Sequence, residues 1–88
     1  MNMKLFLISQ NENSHFDTYD SAVVCAPDEE TARRMDPDRS RDGAPYDFGI
    51  HPALSSWCSS IDHVKAQLIG DAAPGVPLGV VCASFNAG

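Results

Sequence analysis

The feature that most constrains the fold is the abrupt change from apolar to charged residues within 21–35. Ala22–Ala26 is a short apolar run with β-branched residues, which favours a strand, and Pro27 follows it directly. Asp28 then lies where the side chain of an N-cap residue accepts the free amide hydrogens of a helix. Two glutamates follow at the positive end of the helix dipole, and two arginines lie near its negative end. The junction therefore predicts a strand that runs directly into a short helix.

The predicted helix ends near Met35, because Pro37 disfavours the helical conformation at Asp36. Residues 36–49 then combine charged residues with proline and glycine, which predicts a long polar loop. A loop of this length in a small domain either serves a function or is a mobile insertion.

Three further segments have the composition of strands. Met3–Ser9 is apolar at both odd and even positions, so we expect a strand in the interior of the sheet. The connection from it to Ala22–Ala26, residues 11–20, is polar and too short for a parallel crossover, which predicts antiparallel pairing. His63–Ile69 and Gly79–Phe85 flank a connection rich in proline and glycine, which predicts that they form a β-hairpin.

Residues 50–69 also admit a helical interpretation. Six apolar residues recur there at helical spacing and would form one stripe of an amphipathic helix: Ile50, Leu54, Trp57, Ile61, Val64 and Leu68. Pro52 and the serines around Trp57 disfavour this helix, and the alternation at His63–Ile69 favours a strand. We therefore predict an α+β fold: a four-stranded, mostly antiparallel sheet with one short helix, in the order β-β-α-β-β. It forms a single compact domain over residues 1–88 that includes the long polar loop.

The formal net charge is −6, and most of the acidity lies in the N-terminal half. Residues 1–47 contain 10 acidic and 5 basic side chains, whereas residues 48–88 contain 2 acidic and 1 basic. This charge repels a phosphate backbone, so we expect no direct nucleic-acid binding, and it suits a basic protein surface. Solubility alone is the simpler interpretation of the same charge. The candidate partner-binding residues are Asp17, Tyr19, Asp20, Glu29, Glu30, Asp36, Asp38, Asp42 and Asp47.

Three cysteines without a secretory signal favour reduced thiols and a cytoplasmic location. The apolar stretch Met3–Ile8 is far too short to span a bilayer, so no membrane association is expected. Cys25 and Cys82 both lie in apolar runs, where cysteine acts as a small hydrophobic residue. Trp57, the only tryptophan, is expected to fill the core.

No catalytic residue, cofactor or metal site is predicted. The cysteines and histidines lack the close spacing of zinc ligands; they are Cys25, Cys58, Cys82, His15, His51 and His63. Cys58 with His51 or His63 would make a thiol–imidazole dyad, but such pairings are common in chains without catalytic function. The acidic loops lack the ligand spacing and glycine of a calcium-binding loop.

Six segments of the chain together carry a family resemblance. They are Met3–Gln10, Tyr19–Val24, Asp28–Arg33, Trp57–Cys58, Leu68–Ala72 and Ala83–Gly88. In these segments the chain resembles a family of small phage- and prophage-encoded proteins that have no assigned activity. The resemblance covers most of the chain outside residues 38–48. It implies a small accessory protein of a mobile element, acting in the host cytoplasm, and it supplies no catalytic residue.

Charge and resemblance together predict an interaction protein that inhibits a host defence complex, in the manner of CRISPR inhibitors that occupy basic nucleic-acid grooves. Its partner would be a host protein with a basic surface, and a homodimer is also compatible with the sequence. The alternative is a homo-oligomer that binds or sequesters a small ligand or nucleotide, with Trp57, Tyr46 and either Arg39 or Arg41 as pocket lining. A small enzyme that depends on Cys58 or on a metal is the third and weakest interpretation.

Overall fold

The computed structural model describes residues 3–11, 18–37, 57–58 and 61–86. The elements are β1 (Lys4–Ser9), β2 (Thr18–Ala26), α1 (Glu29–Arg33), a single 3-10 turn (Ile61–His63), β3 (Lys65–Asp71) and β4 (Gly79–Asn86). The four strands form one sheet in the order β3-β1-β2-β4, and all three pairings are antiparallel. The predicted fold class, a small α+β fold with a four-stranded antiparallel sheet and one short helix, is confirmed.

The two strands in the middle of the sheet are β1 and β2. Their register places Phe6 opposite Val24 and Ile8 opposite Ala22, and all four side chains are buried. Because side chains alternate along a strand, these residues share one face, which we call the inner face. The predictions that the first strand is interior and antiparallel to the second are both confirmed.

The core lies between the inner face of the sheet and the residues of α1 and the following segments that pack on it. Ala32 and Met35, in and just after α1, are buried there together with Trp57 and Val64. A buried tryptophan removes a large apolar area from water, and Trp57 is only 1% exposed, so its predicted role in the core is confirmed.

The predicted hairpin between the last two strands is wrong. β3 pairs with β1 and β4 pairs with β2, so the two strands lie at opposite edges of the sheet. Their connection instead runs along the end of the sheet, where the Ala72 amide donates to the Met3 carbonyl at 3.0 Å and the Cys25 thiol donates to the Val76 carbonyl at 3.7 Å. Three strand spacings amount to about 14 Å, which seven extended residues span easily. A turn composition therefore marks a reversal, but it does not decide whether the flanking strands pair.

The turn within this connection explains its proline and glycine. The Val76 amide donates to the Ala73 carbonyl at 3.2 Å, and Gly75 at the third position has a φ of 91°. Proline at the second position and a residue with positive φ at the third are the signature of a type II turn, for which glycine is preferred.

Two predicted strand boundaries shift. β2 begins at Thr18 rather than Ala22, because its polar first part pairs with the end of β4 and the Gln10 side chain donates to the Tyr19 carbonyl at 2.8 Å. The third strand is confirmed as a strand, but it covers Lys65–Asp71, and the helical interpretation is wrong for these residues. The 3-10 turn supplies the entry to that strand, closed by the Val64 amide donating to the Ile61 carbonyl at 3.0 Å.

The predicted strand-to-helix junction is present. Asp28 is the N-cap of α1, as expected, and its carboxylate accepts the Thr31 amide at 2.8 Å. The helix ends at Arg33 with Arg34 as its C-cap, slightly before the predicted end at Met35. Most of the predicted polar loop, from residue 38 onward, lies outside the described residues.

Candidate functional site

The densest exposed charge in the described part of the chain lies where β2 passes into α1. Asp28, Glu29 and Glu30 are consecutive and exposed there, and we call them the acidic corner. Asp28 has an extended backbone, with φ −153° and ψ 169°, and its side chain turns back to the first helical turn. The cap and the burial of Ala32 hold the corner in one orientation on the domain.

Hydrogen bonding favours the charged form of Asp28. The backbone amide of Thr31, and then its side chain, donate to Asp28 and hold the pKa of that carboxyl below its usual value. A bond to the ionised form favours ionisation, and the opposing effect of burial is slight at an exposed position. The carboxylate at the corner is therefore negative throughout the neutral and mildly acidic range.

The two helix arginines have different roles. Arg34 forms an exposed ion pair with Glu30, with Nη2 and Oε1 2.9 Å apart. Arg33 turns the other way: its Nε donates to the Val64 carbonyl at 3.3 Å and its Nη2 to the Ile61 carbonyl at 3.0 Å. Arg33 thus joins α1 to the entry of β3, and of the two helix arginines only Arg34 offsets a carboxylate of the acidic corner.

A second group of predicted residues lies at the other end of β2. The Tyr19 ring packs against Phe85 of β4, with ring centroids 4.8 Å apart and planes tilted by 56°. Asp20 is exposed, and it lies where the register between β2 and β4 shifts, with its Oδ1 accepting the Ser21 hydroxyl at 3.2 Å. An extra residue at such a shift has no direct partner across the pair, which lets Asp20 point into solvent.

The structure does not gather the predicted binding residues into one surface. Asp20 and Asp28 lie near opposite ends of β2, and the six residue steps from Asp20 to Ala26 correspond to about 20 Å. Asp36 is 1% exposed, so its carboxylate belongs to the interior rather than to a binding face. The remaining four candidates lie outside the described residues: Asp17, Asp38, Asp42 and Asp47.

The three thiols occupy different environments. Cys25 is buried beneath the connection between β3 and β4, and Cys58 is buried in the core, so neither presents a sulfur at the surface. Cys82 is exposed on β4, which corrects the expectation that it acts as a small core hydrophobe. Across the described ranges, no three His, Cys, Asp or Glu side chains are grouped in a way that would hold a metal ion.

The surface that sequence reasoning missed is the outer strand β4. Val81 and Phe85 are exposed on it, and neither was among the predicted binding residues. The available signal was the complete lack of charge in this run, which is unusual for an edge strand.

Within the part of the chain that the structure describes, no helix is both long enough and apolar enough to cross a membrane. No family model, no curated protein and no solved structure matches the chain significantly.

Proposed function

We propose that the protein binds a basic surface of another protein through its acidic corner. The observation that carries the proposal is the run of three exposed carboxylates at Asp28–Glu30, fixed to the domain by a helix cap. Charges held in one orientation are recognised without an added ordering cost, and opposite charge on the partner speeds the encounter.

More specifically, we propose that this basic surface is the nucleic-acid groove of a host defence complex. The net charge of −6 supports this more specific proposal, because a groove that holds a phosphate backbone attracts an acidic protein by the same field. The resemblance to phage- and prophage-encoded proteins supports a setting in the host cytoplasm. The protein would then compete with nucleic acid for the groove and would itself carry out no reaction.

The test compares charge removal at two places on the domain. One variant carries Glu29→Gln with Glu30→Gln, which leaves the Asp28 cap in place. The control carries Asp62→Asn with Asp71→Asn, which removes the same formal charge from two other exposed positions. Tagged wild-type and variant proteins are used to capture partners from a bacterial lysate at low and high salt.

We expect the wild type and the control to retain the same basic protein at low salt and to release it as salt rises. The glutamate variant should lose it, and the captured complex should bind labelled nucleic acid less tightly when the wild-type protein is added. Retention by the glutamate variant, or binding that does not respond to salt, would refute the acidic corner as the binding site. If the captured complex binds nucleic acid equally well with and without the protein, the basic surface is not its nucleic-acid groove, but binding of the acidic corner to another basic surface is not refuted.

A further inference from the structure

Within the described ranges, the outer edge of β4 pairs with no strand, and it lacks two of the features that usually keep edge strands from pairing. Gly79–Asn86 contains no charged residue and no proline, although the chain as a whole carries a net charge of −6. An edge strand has a row of backbone amides and carbonyls without strand partners, and charges or prolines are the common devices that prevent its association.

The other edge of the sheet is better protected. β3 begins with Lys65 and ends with Asp71, and both residues are exposed. A register shift occurs in both edge strands, since Ile69 of β3 has no partner on β1 and Val81 of β4 has none on β2. The two edges therefore differ mainly in charge, and β4 is the one at which a second strand meets none.

Apolar side chains accompany the open edge of β4. Val81 is 51% exposed and Phe85 47%, and Ala83 between them is also exposed. These three alternate along the strand, so they share one face, where Val81 and Phe85 line a shallow depression together with Tyr19.

We propose that β4 pairs antiparallel with β4 of a second copy, which joins two protomers into one eight-stranded sheet. The lack of charge on β4 permits a copy as the occupant, because two protomers of net charge −6 can pair along this strand without placing like charges in contact. A basic partner, by contrast, finds no carboxylate on β4 to bind.

The sequence of β4 is also complementary to itself under two-fold symmetry. With the axis at Ala83, Val81 lies opposite the partner subunit's Phe85, and Phe85 lies opposite the partner subunit's Val81. An aromatic residue across from a β-branched one is a favourable cross-strand pair, and symmetry forms it twice. The same register places Cys82 opposite the partner subunit's Ser84 on the other face of the sheet.

The experiment is sedimentation of the full chain over a concentration series that reaches about 100 μM, which detects dissociation constants up to about that value. Val81→Lys is compared with Ile69→Lys. Both positions are β-branched, about half exposed and located at a register shift of an edge strand, at 51% and 49% exposure. We expect the wild type and Ile69→Lys to form dimers. The dissociation constant of the Val81→Lys dimer should be at least about tenfold higher, because the lysine replaces the valine in both Val81–Phe85 pairs.

The dimer does not depend on the proposed function, and the two are distinguished by how each interaction responds to salt. Self-association of two acidic protomers should strengthen as salt rises, whereas binding of the acidic corner to a basic partner should weaken. A Ser84→Cys variant tests the register without relying on a lysine variant that folds: on mild oxidation it should form a disulfide-linked dimer faster than the wild type. A monomeric wild type, dimers of Val81→Lys as stable as those of the wild type, or dissociation caused equally by Ile69→Lys would overturn the proposal.

Discussion

Replacing Arg33 with methionine tests whether the link between α1 and β3 stabilises the domain as the geometry indicates. The guanidinium makes two hydrogen bonds, to the Val64 carbonyl at 3.3 Å and to the Ile61 carbonyl at 3.0 Å. Methionine keeps much of the aliphatic stem and removes both donors, so the change isolates the polar part of the link.

The magnitude follows from the surroundings of the two bonds. A hydrogen bond to a charged group contributes about 1.5–3 kcal/mol. Arg33 is only half-buried, and the Ile61 carbonyl keeps the Val64 amide as a second donor, so the two bonds together are worth less than their separate values. We expect Arg33→Met to lower the free energy of unfolding by about 2 kcal/mol.

Urea denaturation measures this loss, and the neighbouring residue provides the control. At an m-value of about 1 kcal/mol per molar urea, the midpoint for Arg33→Met should fall by about 2 M. Arg34→Met removes the same chemical group from an exposed ion pair with Glu30, for which we expect at most about 0.5 kcal/mol. Amide exchange in β3 should also accelerate in Arg33→Met, because this arginine holds the entry to that strand.

The result that would refute the reasoning is an equal loss for the two arginine variants. Equality would mean that the contacts of Arg33 with the entry to β3 add nothing beyond an ordinary surface charge. If Arg33→Met alone loses unfolding free energy but amide exchange in β3 does not accelerate, Arg33 stabilises a part of the domain other than the entry to β3.

Three further predictions address the helix cap, the exposed thiol and the turn. The pKa of Asp28 is lowered in the folded state, so its charge contributes fully to stability above the unfolded value of 3.8, and this contribution is lost as pH falls through the folded value. Asp28→Ser keeps a capping oxygen but has no charge. The difference in unfolding free energy between this variant and the wild type, measured by chemical denaturation, should therefore shrink between about pH 6 and about pH 2. Cys82 should react with iodoacetamide in the native protein before the two buried thiols, which mass spectrometry of peptides detects, and equal labelling of all three would contradict the burial pattern. Gly75→Ala should lower the free energy of unfolding by about 1 kcal/mol, because Gly75 has a φ of 91° that alanine rarely adopts. Gly70→Ala should not, because Gly70 has open space around it and no positive φ. Similar urea midpoints for the two variants would count against the turn.

Sequence reasoning succeeded where local interactions decide the structure. The cap at Asp28 needs only a carboxylate three residues before the Thr31 amide, so both partners lie within one short segment of the sequence. The apolar residues of β1 correctly indicated a strand in the middle of the sheet, although only Phe6 and Ile8 are fully buried, and Leu5 and Leu7 on the other face are partly exposed.

It failed where the partner of a residue lies far along the chain. The pairing of β4 with β2 rather than β3 depends on a connection anchored by Cys25 and Met3, which no turn pattern specifies. Arg33 has the position of a dipole-stabilising charge in the sequence, and its carbonyl acceptors come from residues 28 and 31 positions further on. Asp36 lies between Met35 and Pro37 in a segment rich in charged residues, so nothing nearby indicates that it is buried.

The placement of β3 and β4 at opposite edges has a consequence for the order in which the sheet assembles. Ser9 and Ser21 of the β1–β2 pair are 12 residues apart, whereas Val24 and Val80 of the β2–β4 pair are 56 apart. The longer closure costs about 1.4 kcal/mol more in chain entropy, so about tenfold fewer unfolded conformations bring its ends together. We therefore expect the β1–β2 pair to form first and the edge strands to join it afterwards, with the Cys25–Val76 contact made only once the chain has passed from one edge to the other.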